Sequence, residues 1–83
     1  MKYRLRIEVS LKLGTSDPEG ETAAHLLKEL GYKVETANVS KVYSLFLKAK
    51  STDEAKRQAE EMCKKLLANP TKDNYTITVE EEE

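Results

Sequence analysis

From Tyr3 to Leu13 every odd position is apolar: Tyr3, Leu5, Ile7, Val9, Leu11 and Leu13. The intervening positions are Arg4, Arg6, Glu8, Ser10 and Lys12. Side chains alternate across a strand, so this period of two predicts a long strand with one dry face and one polar face. A strand of that kind needs a partner layer on its dry side only. The chain is therefore expected to build a one-sided sheet with helices packed on the apolar face.

The rest of the chain supplies those helices. Gly14-Thr15-Ser16 ends the first strand, and Asp17-Pro18-Glu19 reads as a helix start with Asp17 as N-cap and Pro18 at the first helical position. Ala23, Leu26, Leu27 and Leu30 form the stripe of a helix laid on a sheet, and Gly31 supplies a left-handed C-terminal cap. The stretch from Val34 to Lys50 is too long for one average strand. It divides near Ser40-Lys41 into two strands joined by a tight turn. In the second, Tyr43, Leu45, Leu47 and Ala49 share one face, and Val42, Ser44, Phe46 and Lys48 the other.

Ser51-Thr52-Asp53-Glu54 matches a capping box. Ala55, Ala59, Met62 and Leu66 follow at helical spacing, with Cys63 and Leu67 beside them, until Asn69-Pro70 ends the helix. Tyr75, Ile77 and Val79 alternate with polar residues in a last strand. The expected fold class is thus α+β: a two-layer sandwich in the order β-α-β-β-α-β, with a four-stranded antiparallel sheet and two helices on one face. With 83 residues, positions 1–83 form a single domain with a thin core, which favours association. The uncovered face would carry Arg4, Arg6, Ser44, Val42 and Phe46, a mixture suited to docking another subunit.

Composition narrows the function classes. The net charge of −1 argues against a nucleic-acid binder, although Lys2, Arg4, Arg6 and Lys12 cluster near one end and Glu80–Glu83 form an acidic tail. Phe46 is the one aromatic placed to stack on a base, which is too few for an RNA-binding sheet. The single cysteine, Cys63, can form no internal disulfide and has no second cysteine at metal-ligand spacing. No run approaches the ~18–20 apolar residues of a membrane span, so the reading is a cytoplasmic protein with no membrane association. The single histidine, His25, has no nucleophile beside it in sequence, and the glycines form no phosphate-cradling loop. The expectation is no catalytic residue, no metal ligand and no cofactor site.

Four segments, in order, carry a resemblance: LKLGTSDPEG, NVSKV, EEMCKKLLANP and NYTITVEEE. Together they resemble the PurS family, the small subunits of phosphoribosylformylglycinamidine (FGAM) synthase. What the resemblance implies is a non-catalytic subunit of a purine-biosynthesis complex that uses ATP, Mg and glutamine. The small subunit would bridge a glutaminase subunit and an ATP-dependent synthetase subunit and assist ammonia transfer. It also implies a homo-oligomer, dimer or tetramer, formed by sheet-to-sheet contact. Asp17, Pro18 and Gly20 match the family's helix start, and Met62, Cys63, Leu66, Leu67 and Ala68 its second helix, as fold and assembly residues. Lys41 and Asn69, polar and at element ends, would touch the partner subunits. Two departures stand out: Ser40 occupies a position where the family usually has glycine, and Thr71-Lys72-Asp73-Asn74 replaces a hydrophobic-acidic pair. The alternative of a different class is a dimeric ligand-sensing or regulatory α+β domain.

Overall fold

In a computed structural model, Met1–Glu82 are described and Glu83, the last residue of the acidic tail, lies outside the described residues. The order is β1 (Lys2–Leu11), α1 (Pro18–Glu29), β2 (Lys41–Lys48), α2 (Thr52–Met62) and β3 (Asp73–Glu82). α2 runs on into a π-helical turn, Cys63–Leu67. The sheet has three strands in the order β2-β1-β3, both pairings antiparallel.

β1 is central because its alternation is the most complete. Tyr3, Leu5, Ile7 and Val9 are at most 4% exposed and form the floor of the core. Ala55, Ala59 and Cys63 of α2 and its π turn close over them, with no exposure at all. Small residues on that helix face let it approach the sheet closely. Tyr43, Leu45 and Leu47 of β2 and Tyr75, Ile77 and Val79 of β3 flank the core, half-buried.

The expected four-stranded sheet is not what forms. Residues 34–40 make no strand, and no hairpin joins them to β2. A tight hairpin requires residues with positive φ at its turn. Ser40-Lys41 provides none, and the described residues with positive φ are Gly14 and Gly31 alone. β1 also stops at Leu11, two residues early, leaving Leu13 fully exposed in the turn around Gly14.

Nor do both helices lie on the sheet. α2 packs on β1 and β3, whereas no α1 residue belongs to the core cluster. Its stripe faces outward, with Leu26 51% and Leu30 74% exposed. α1 and the segment after it project as an arm, and the molecule measures 50 × 29 × 14 Å. Its radius of gyration of 16.3 Å exceeds the ~12 Å of a compact chain of this length.

The arm is nevertheless well made locally. The Asp17 carboxylate accepts the backbone N–H of Gly20 and that of Val39, both at 2.9 Å, so it caps α1 and clips the returning chain to its base. Gly31 (φ 99°) and Tyr32 close the other end: their N–H groups donate to Lys28 O and Leu27 O at 3.0 and 3.1 Å, a Schellman arrangement. In α2, Ser51 Oγ accepts the Glu54 N–H at 3.1 Å. The reciprocal half of the capping box is not made, since Glu54 Oε1 takes the Gln58 amide at 3.0 Å instead.

Candidate functional site

The π turn displaces one expected residue. Ala68 N–H donates to Cys63 O, five residues back, at 3.0 Å. The extra residue per turn rotates Leu66 away from the α-helical stripe. Leu66 is 82% exposed, and Leu67 packs against the core in its place. Met62 is half-buried, while Cys63 and Ala68 are buried.

Cys63 is a core residue. Burial, with a smaller contribution from the Glu60 carboxylate, pushes its thiol pKa up, away from the reactive thiolate. Tyr75 Oη donates to Glu60 Oε2 at 2.7 Å, which together with desolvation raises the phenol pKa. His25 is exposed on α1, 3.1 Å from Glu29, and shares no site with Cys63. Among the described residues no three His, Cys, Asp or Glu side chains are grouped to hold a metal ion. None of the described helices is long and apolar enough to cross a membrane.

What remains is surface, in two parts. The first is the open face of the sheet, where the register sets four rows across β2, β1 and β3. These are Lys48–Lys2–Glu82, Phe46–Arg4–Glu80, Ser44–Arg6–Thr78 and Val42–Glu8–Thr76. Arg4, Arg6, Val42, Ser44 and Phe46 therefore share one face, as the sequence predicts, and Phe46 is 70% exposed. The face is polarised: apolar and basic along β2, basic at the centre, acidic at the end of β3. A shallow hollow of about 200 Å³ lies among Arg4, Arg6, Thr78 and Glu80. Another of about 460 Å³ adjoins Phe46, between Lys2, Lys48 and Glu82.

The second surface escaped sequence reasoning. It is a groove of about 620 Å³ beside α2, lined by Leu45, Met62, Leu66 and Leu67 and edged by Gln58, Lys65 and the Arg57–Glu61 ion pair. Its one sequence signal is the run of apolar residues at the end of the second helix, longer than a single stripe needs.

Lys41 and Asn69 sit at the same end of the sheet. Lys41 is level with Val9 in β1, and β3 begins at Asp73 level with Leu11, four residues after Asn69. Lys41 is exposed. Asn69 is occupied in its own turn: Oδ1 accepts Thr71 N–H at 2.9 Å, and its N–H donates to Asp73 Oδ2 at 2.8 Å. Gly20 is buried against the Ala37 carbonyl, where a Cβ would collide. Its match to the family motif thus has a packing reason.

The chain is a small α+β domain with a three-stranded antiparallel sheet, one face of it packed under α2 and the other open. The family model for PurS, phosphoribosylformylglycinamidine (FGAM) synthase, matches residues 4–81, and the chain belongs to that family. It is 43% identical over 72 residues to the FGAM synthase subunit PurS of Archaeoglobus fulgidus, covering 86% of this chain and 90% of that one. Thermus thermophilus PurS superposes with a TM-score of 0.90 at 33% identity, over the whole of both chains. A chain of PurLQS from Thermotoga maritima superposes with a TM-score of 0.88 at 26% identity, over 95% of this chain and 98% of that one.

Proposed function

We propose that this chain is the non-catalytic small subunit of an FGAM synthase. It holds a glutaminase subunit and an ATP-dependent synthetase subunit together so that ammonia passes between them. The observation that carries this reading is the superposition, over nearly the full chain, on a component of PurLQS. The surfaces supply the means: a polarised sheet face and an apolar groove offer separate places for separate neighbours. Lys41, at the exposed end of β2, is the partner-contact residue. Asn69 acts by shaping the turn at the same end. ATP, Mg and glutamine belong to the larger subunits, and the site of action is the cytoplasm.

Reconstitution tests the role. Glutamine-dependent FGAM formation by the two larger subunits is expected to require this chain, while ammonia-dependent formation requires it less. If neither activity responds to its addition, the bridging role is wrong, and a ligand-sensing role takes its place.

In this reading, copies of the chain also associate through the open sheet face. Phe46→Asp puts a carboxylate in the middle of that contact. Sedimentation at micromolar concentration should then show a smaller particle than wild type, and an unchanged particle would remove Phe46 and Val42 from the interface.

A further inference from the structure

The turn between α2 and β3 carries more hydrogen bonds than a change of chain direction requires. Asn69 O accepts the N–H groups of Lys72 and Asp73 at 3.1 and 2.8 Å. The Asn69 and Asp73 side chains each accept a further N–H within the turn, and Pro70 fixes its own φ. Lys12 then ties the turn to the end of β1. Its backbone N–H donates to Lys72 O at 2.7 Å, and its Nζ donates to Pro70 O at 2.9 Å. An exposed loop is thereby held in one shape. Beside it lies a hollow of about 550 Å³, with Ala68, Pro70 and Tyr75 on its apolar side and Lys12, Lys64 and Asp73 supplying its charges. Lys72, exposed in the turn, adds a third lysine to this end of the molecule.

We propose, building on the subunit role above, that this hollow and its turn form a docking cradle for a short acidic segment of one of the two larger subunits. The segment carries carboxylates on either side of an apolar side chain. The apolar side chain rests against Ala68, Pro70 and the Tyr75 ring, and the carboxylates lie beside Lys64 and Lys72. Lys12 is a positioning residue, since its Nζ is engaged by Pro70 O and keeps the turn in place.

Charge and shape favour an acidic protein segment over other occupants. Among the described residues the ion pairs are His25–Glu29 and Arg57–Glu61, so Lys12, Lys64 and Lys72 pair with no carboxylate there. The neighbouring acids are engaged: Asp73 Oδ2 accepts the Asn69 N–H, and Glu60 Oε2 accepts the Tyr75 hydroxyl. A lone phosphate fits poorly, because the hollow adjoins the C-terminal end of α2 and its π turn, where the helix dipole is negative. No arginine lines the hollow to clamp such a group bidentately. Nucleic acid is disfavoured by the net charge of −1. The turn also lies past the last paired residues, Leu11 and Asp73, outside the open face that carries Phe46. Copies associated through that face leave it accessible. A loop already held in one shape loses little freedom on docking, which leaves more of the contact energy for affinity.

The test titrates the full chain into the two larger subunits and reads glutamine-dependent FGAM formation. Lys64→Glu with Lys72→Glu reverses two exposed charges. It is expected to raise the half-activating concentration roughly tenfold at low salt, with the same plateau. The gap should close as the salt approaches about 1 M, where the Debye length is about 3 Å. Lys50→Glu with Lys56→Glu, exposed near the other end of α2, makes the same change in net charge and should activate like wild type. An unchanged half-activating concentration for the first variant overturns the docking site and leaves the subunit role standing. So does an equal rise in the Lys50/Lys56 variant, or a lower plateau at an unchanged half-activating concentration. A smaller particle of the first variant in sedimentation assigns the lysines to contact between copies, and overturns the docking site as well. If wild type itself fails to activate, the subunit role falls and the docking site falls with it.

Discussion

Leu5→Ala lowers the unfolding free energy by about 2–5 kcal/mol, while Leu13→Ala, the same substitution eight residues on, changes it by less than about 0.5 kcal/mol. Leu5 has no exposure and lies under Ala55 and Ala59 in the core. Cutting it back removes apolar contact and leaves a cavity between two rigid layers. Leu13 is fully exposed beyond the end of β1. A domain of this length has only about 4–12 kcal/mol of stability, so the first loss is a large share of the whole. Urea titrations at fixed chain concentration read it directly, as a midpoint lowered by about 1–3 M with little change in slope. Equal midpoints for the two variants would mean that the alternation of β1 continues through Leu13 and that the core is placed wrongly.

That contrast shows what a sequence of this kind reveals and where it stops. The alternation located β1 and chose its buried face correctly from Tyr3 to Val9, because a period of two leaves no second solution. It could not mark the end of the strand, since Leu11 and Leu13 keep the same parity after the partners run out. The caps at Asp17, Gly31 and Ser51 were legible because their bonds reach only three to five residues along the chain. The stripe on α1 was legible too, but a stripe states only that something covers it. Read within one chain, it implied a helix on its own sheet. The missing positive-φ residue at Ser40-Lys41 was the available warning against that hairpin. Leu66 was misplaced for a related reason: helical spacing assumes 3.6 residues per turn, and the π turn adds one. On the open face Arg4, Arg6, Val42, Ser44 and Phe46 fall together as expected, since that face is the complement of the legible one, whereas the β3 residues beside them were not foreseen. Nor was the groove, because it exists only where α1 fails to lie.

The strength of the clip between Asp17 and Val39 decides how far the arm behaves as one unit. Gly20→Val is expected to break it, at a cost of about 1–3 kcal/mol to the arm, because the new side chain meets both the Ala37 backbone and the Asp17 carboxylate that makes the clip. Hydrogen exchange at the Val39 and Gly20 amides should then become fast, while the Leu5 and Ile7 amides in the sheet keep their protection. Acid should reach the same clip in the wild-type protein. The amides of Val39 and, second, Gly20 donate to the Asp17 carboxylate and hold its pKa below the usual value. A lowered folded-state pKa means that the contribution is complete above the unfolded value, near pH 4, and fades as the pH falls through the lower folded one. Protection of Val39 should therefore weaken below about pH 4, and Asp17→Asn, which has no such titration, should lose that inflection. Val39 exchange that follows only the intrinsic chemistry of the amide across this range would show that the carboxylate does not hold the arm together.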